Sequence, residues 1–251
     1  MQSEGQPYLP ALALDLIGRE LAGRDTASLA LVDKYTHAAL APQLKVFREL
    51  FRQQVLRLAA PVQRARTPME FRDAITALSE SREQGKSHIV AAMGAAGECI
   101  GNLPKIERPL FFAVAREIAP QLPQPHGEAL RIGLLEQLHV LPPVWVATEI
   151  HAGLAWAKEL PEARRGGPLA ALSRGICHFP NPGGRKLMME WVCEATAKLP
   201  PEYREEPMAA LRELVHHLPE DQWQAASERI RSLGKSAEDG APAATPRSGG
   251  T

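Results

Sequence analysis

The residue pairs nearest to chemistry in this sequence are His216-His217 and Cys177-His178, the second lying 39 positions before the first. Adjacent residues on a helix point about 100° apart, so two neighbouring imidazoles chelate one ion poorly. The doublet suits a helix C-terminus, where a cationic ring meets the dipole. A thiol beside a histidine suggests a nucleophile with its base. Its recurrence at the same phase as the His doublet assigns the position to structure instead. Cys99, Cys177 and Cys193 are odd in number and lack C-x-x-C spacing, the pattern of buried free thiols in a reducing compartment. His88 and Glu98 sit in the small-residue stretch HIVAAMGAAGECIG, which suits close helix packing. Arg165 and Arg204 also share a phase, at a place where a guanidinium reaches the carbonyls a preceding helix leaves without donors. Trp145, Trp156, Trp191 and Trp223 read as core or groove anchors. No phosphate loop, G-x-S-x-G, H-E-x-x-H or Cys/His metal spacing occurs. The expectation is a protein without catalytic residues, metal or cofactor.

These residues keep phase because the chain repeats. An apolar-Pro dipeptide recurs at Leu103-Pro104, Leu122-Pro123, Leu141-Pro142, Leu160-Pro161, Phe179-Pro180, Leu199-Pro200 and Leu218-Pro219, in steps of 19 or 20. Pro42 and Pro61 are also 19 apart, and the interval from Pro61 to Pro104 fits two units with a longer loop. At the doubled period, LPEARRGGPLAALSRGICHFP (160–180) lies over LPPEYREEPMAALRELVHHLP (199–219) with nine identities in 21 and no gap. Each unit carries one helical stripe: Met208, Leu211, Leu214, Val215 and Leu218; Leu169, Leu172, Ile176 and Phe179; Leu130, Leu134, Leu138 and Leu141. Proline cannot donate a helical hydrogen bond, so each dipeptide ends one helix and opens the next. Short connectors make neighbours antiparallel. The expected fold is all-α, a short α-α solenoid of about 19-residue units paired into 38-residue hairpins, with some ten helices over 42–233.

Composition agrees and excludes alternatives. Hydrophobic residues make up 45% and charged residues 23%, enough for a core. The 29 basic residues balance 29 acidic ones, so no global field favours nucleic acid or an anionic membrane. No apolar run reaches the roughly 18 residues of a membrane span, and the first residues, MQSEGQP, lack the basic region and apolar core of a secretory leader. Residues 234–251 are mostly Gly, Ala, Pro and Ser with no apolar period, and read as a disordered tail.

Residues 1–41 follow another rule. Leu9, Leu12, Leu16, Ile17 and Leu21 stripe a first helix; Gly23 fits a C-terminal cap and Asp25 an N-cap. Leu29 with Val32, then Ala39 with Leu40, serve two more short pieces. Three helices in so few residues cannot bury a core alone.

The order Leu9, Pro10, Leu14, Ile17, Leu21, Asp25, Leu29, Leu31, Val32, Lys34 resembles, without a gap, an F-box. The repeat phrase R-x-x-P-[LM]-x-x-L followed by Leu-Pro resembles the SKWP-type, HEAT- or armadillo-like repeats of plant-pathogen type III effectors. Together these imply an adaptor. Leu9, Pro10, Leu14, Ile17, Leu29, Val32 and Lys34 would bind a Skp-family adaptor of a cullin ubiquitin ligase, and the array would hold a protein target. The Ala-, Arg- and Pro-rich composition suggests a GC-rich bacterial gene, and the resemblance implies secretion into a host cell, with virulence exerted in its cytoplasm. The alternative is that residues 1–41 only cap a helical-repeat scaffold that recruits no ligase.

For the target, the fifth residue of each unit falls in a connector outside the stripe. Alternate units put His126, Arg164 and Tyr203 along one edge, and Glu107, Trp145, Gly183 and Gln222 along the other. Tyr, Trp and Arg are frequent interface anchors, so the first three, with Trp145 opposite, are the expected target-binding residues.

Overall fold

The computed structural model describes residues 34–81 and 86–235. Among the described residues the ten α-helices are α1 (Lys34–Arg64), α2 (Pro68–Glu80), α3 (Lys86–Glu98), α4 (Arg108–Ile118), α5 (Gln124–Glu136), α6 (Pro143–Glu159), α7 (Gly166–Cys177), α8 (Pro182–Ala197), α9 (Glu205–Val215) and α10 (Glu220–Lys235). No strand occurs among the described residues. The chain divides into two compact units, residues 1–58 and 59–251.

Of the first unit only 34–58 is described, all of it helix. Pro42 and Pro61, expected to separate helical units, both lie within α1. The reason is in the preceding residue. Ala41 and Ala60 stand where the later dipeptides have Leu or Phe, so no large side chain is available to be buried at a turn. The expected division at 41/42 therefore falls inside a helix. Leu9, Pro10, Leu14, Ile17, Leu29 and Val32 lie outside the described residues, and Lys34 is the first residue of α1. The tail from 236 onward is likewise outside them, and α10 runs through Gly234 to Lys235.

In the second unit the connectors repeat atom by atom. The N–H of each apolar residue before proline donates to the carbonyl three residues back: Leu103 to Ile100, Leu122 to Ala119, Leu141 to Leu138, Leu160 to Ala157, Phe179 to Ile176, Leu199 to Thr196 and Leu218 to Val215, all at 2.9–3.3 Å. The proline ring pushes its predecessor out of the helical region. Leu103, Leu122, Leu141 and Leu160 accordingly hold ψ values of 158°, 159°, 154° and 153°. Each proline carbonyl except that of Pro180 then accepts from the third residue on: Glu107, His126, Trp145, Arg164, Tyr203 and Gln222. The exception opens differently, with Asn181 Oδ1 capping the Gly184 N–H at 3.2 Å. Every residue of the three expected stripes is buried.

The helices of this unit fall into two rows. α3 packs on α5, α5 on α7 and α7 on α9. These backbones approach closely: a Cβ added at Gly133 would collide with the Gly94 carbonyl, and one at Gly175 with the Leu135 carbonyl. In the other row α2 packs on α4, α6 on α8 and α8 on α10, with Phe71 and Phe111 edge to face at 5.2 Å. The step from α4 to α6 is looser than the others in its row.

Candidate binding groove

The expected connector residues have separate surroundings. The turn Glu162–Arg164 packs beside the turn Pro201–Tyr203, and Arg164 Nη2 reaches back to pair with Glu128 Oε2 on α5. The α5 start, the Arg164 turn and the Tyr203 turn are thus neighbours, as the doubled period implies. His126 is turned inward, only 9% exposed, and shares a 2.9 Å hydrogen bond between its Nδ1 and Ser79 Oγ of α2. Burial pulls its pKa below the ordinary imidazole value. Tyr203 is half-buried. Trp145, in the first turn of α6, is open to solvent beside the exposed Val144.

Arg165 and Arg204 do bond the carbonyls at the preceding helix end. Arg165 Nε donates to Leu160 O at 2.8 Å. Arg204 donates to Leu199 O, Ala197 O and Leu233 O at 2.7, 3.0 and 2.7 Å, tying the ends of α8 and α10 together. Arg108 does the same for Leu103, Gly101 and Val140. The His-bearing positions form a ladder, with His139, His178 and His217 edge to face at centroid spacings of 5.0 and 5.6 Å. Burial, reinforced by the charge of His178, lowers the His139 pKa. The three cysteines are free and buried, and burial pushes each thiol up to about 11. A thiol so placed is a poor nucleophile at neutral pH. Among the described residues no three His, Cys, Asp or Glu side chains are arranged to hold a metal.

The loose step between α4 and α6 opens a groove floored by α5. One depression, about 320 Å³, is lined mainly by apolar groups, among them Phe112, Leu134, Leu135 and Gly153. A second, about 470 Å³, shares Arg131, Trp156 and Glu159 with it and runs toward Arg164. Volumes of this size are those of ligand sites. Arg116 Nη1 of α4 meets Glu149 Oε1 of α6 at 2.5 Å, and the Glu149 side chain is only 6% exposed. That pair spans the loose step, and removing Arg116 would leave a buried carboxylate unpaired. Arg131 lies with its Cζ 5.0 Å from the centre of the Trp156 ring. Its Nε–H is buried and finds no acceptor, and it forms no ion pair among the described residues. Burial lowers the Arg131 pKa, opposed by the charge of Glu159.

Arg131 was not marked by motif or period. The available signal was a charged residue placed between the stripe residues Leu130 and Leu134. Trp156 carried only the general expectation of a groove or core anchor. No protein-family model, curated protein or solved structure matches this chain.

Proposed function

We propose that the second unit is an α-α solenoid that holds a protein target, and that residues 1–41 are an F-box-like module recruiting a Skp–cullin ubiquitin ligase. The observation that carries the scaffold half is the connector geometry. One hydrogen-bonded apolar-Pro turn recurs at all seven dipeptides, and helices two apart in sequence pack side by side in rows. Each repeat contacts its neighbours and presents a connector and a helix face, the arrangement by which helical arrays build extended binding surfaces. The adaptor half is supported by the ungapped order of Leu9, Pro10, Leu14, Ile17, Leu29, Val32 and Lys34. Without it the reading reduces to a scaffold that recruits no ligase. The effector reading, with action in a host cytoplasm, adds only what composition and repeat resemblance suggest.

The scaffold half is tested by cross-linking the whole protein in cells, then purifying the captured target and measuring its affinity. Arg164→Ala with Tyr203→Ala removes the two connector side chains that sit on neighbouring turns. A tenfold or greater weakening of the purified target, with helical content unchanged, is the expected result. Unchanged affinity removes that edge and moves the site to Trp145 or the groove.

A further inference from the structure

We propose that the groove between α4, α5 and α6 binds a short peptide segment carrying an aspartate or glutamate next to a large aliphatic side chain, with Arg131 receiving the carboxylate. The proposal rests on the scaffold reading and names what one part of that scaffold holds.

The first observation is Arg131 itself. A guanidinium is planar and carries its donors in a rigid fork that matches a carboxylate. Its Cζ lies 5.0 Å from the centre of the Trp156 ring, a cation–π contact that holds the guanidinium beside the groove. Burial of its Nε without an acceptor is unfavourable for the fold alone, since an unsatisfied buried donor costs the full desolvation of that group. An arriving carboxylate would satisfy it. Beside apolar walls such a contact is screened less than it would be in bulk water.

The surrounding charges select the anion. Arg116 is spent on Glu149 and Arg164 on Glu128. Arg131 and Glu159 line both depressions and make no close ion pair among the described residues, although the charge of Glu159 acts on Arg131. A single cation with a carboxylate nearby suits a monoanion and disfavours a phosphate dianion by like-charge repulsion. The apolar walls beside it call for an aliphatic group on the same ligand. Extent then selects a peptide. Lining residues on α6 run from Glu149 to Glu159, about 15 Å at the helical rise, which matches roughly four or five extended residues.

The test uses the whole protein and a set of capped hexapeptides, each with one leucine and one aspartate one to four positions apart, in an otherwise alanine-glycine background. The same set with asparagine is the control, and 4-methylpentanoate is the small-molecule arm. Titration calorimetry gives affinity, and the Trp156 indole and Arg131 Nε–H resonances report the place. At least one aspartate peptide should bind ten times more tightly than its asparagine partner. Arg131→Gln should erase that preference, and Arg131→Lys, which keeps the charge but not the fork, should reduce it. The lysine variant carries the test if the glutamine variant does not fold. Equal binding of aspartate and asparagine peptides overturns the proposal, as does an intact preference in both variants or no binding at millimolar peptide. Binding of 4-methylpentanoate as tightly as the best peptide overturns the peptide assignment. A protein that still holds its purified target after Arg131→Gln keeps the scaffold reading while losing this one.

Discussion

At the scale of single residues, the most informative side chains are polar groups sitting at helix ends. Arg108, Arg165 and Arg204 bond carbonyls that helices leave without donors, and the ladder His139, His178 and His217 stacks along the ends of α5, α7 and α9. The ladder gives a pH dependence. His139 faces His178, Arg108 and the Glu136 carbonyl, and its pKa is lowered chiefly by burial. In the unfolded chain it titrates near the ordinary value of about 6.5. On acidification the unfolded state therefore takes up protons first, and stability is lost as pH falls through that value. Urea denaturation at pH 7.5 and 5.5 should show a smaller acid loss for His139→Gln than for the wild type. Equal losses would mean that His139 is not held neutral.

At the scale of elements, the rows depend on how near the backbones come. Gly133 sits against Gly94 and Gly175 against Leu135, so Gly133→Val forces α3 and α5 apart. Overpacking of this kind costs about 1–3 kcal/mol or more. Gly183→Val is the control, because its added Cβ meets nothing nearer than 3.5 Å. Chemical denaturation should separate the two variants clearly; similar midpoints would mean that the rows have room to shift.

The helices after Leu103 were legible from the sequence because leucine and proline act together. The proline stops the helix, and the preceding large residue is buried at Leu141, Phe179, Leu199 and Leu218 and half-buried at Leu103, Leu122 and Leu160. The early prolines misled because Ala41 and Ala60 supply only half of that signal. The inward turn of His126 was also hidden, since its partner Ser79 is 47 residues away and outside the regular period. The groove escaped notice for a similar reason. It arises from a loose step between α4 and α6, and spacing between helices two units apart leaves no mark in a periodic sequence.

At the scale of the whole molecule, the second unit accounts for itself as an array whose helices bury one another's stripes. Residues 1–41 depart from that period, and the proposal of ubiquitin ligase recruitment rests on their order of residues. The most direct measurement of that link is calorimetric titration of the full chain with a purified Skp adaptor, alongside a Pro10→Ala, Ile17→Arg variant. The interface would be apolar, and burying an unpaired arginine costs several kcal/mol, about 2 or more. The account predicts association of the wild-type protein at about tens of micromolar or better, and a loss of at least about thirtyfold in the variant, as that energy requires, with helical content unchanged. Absence of association at those concentrations would contradict the proposed adaptor function and leave the scaffold reading to stand alone.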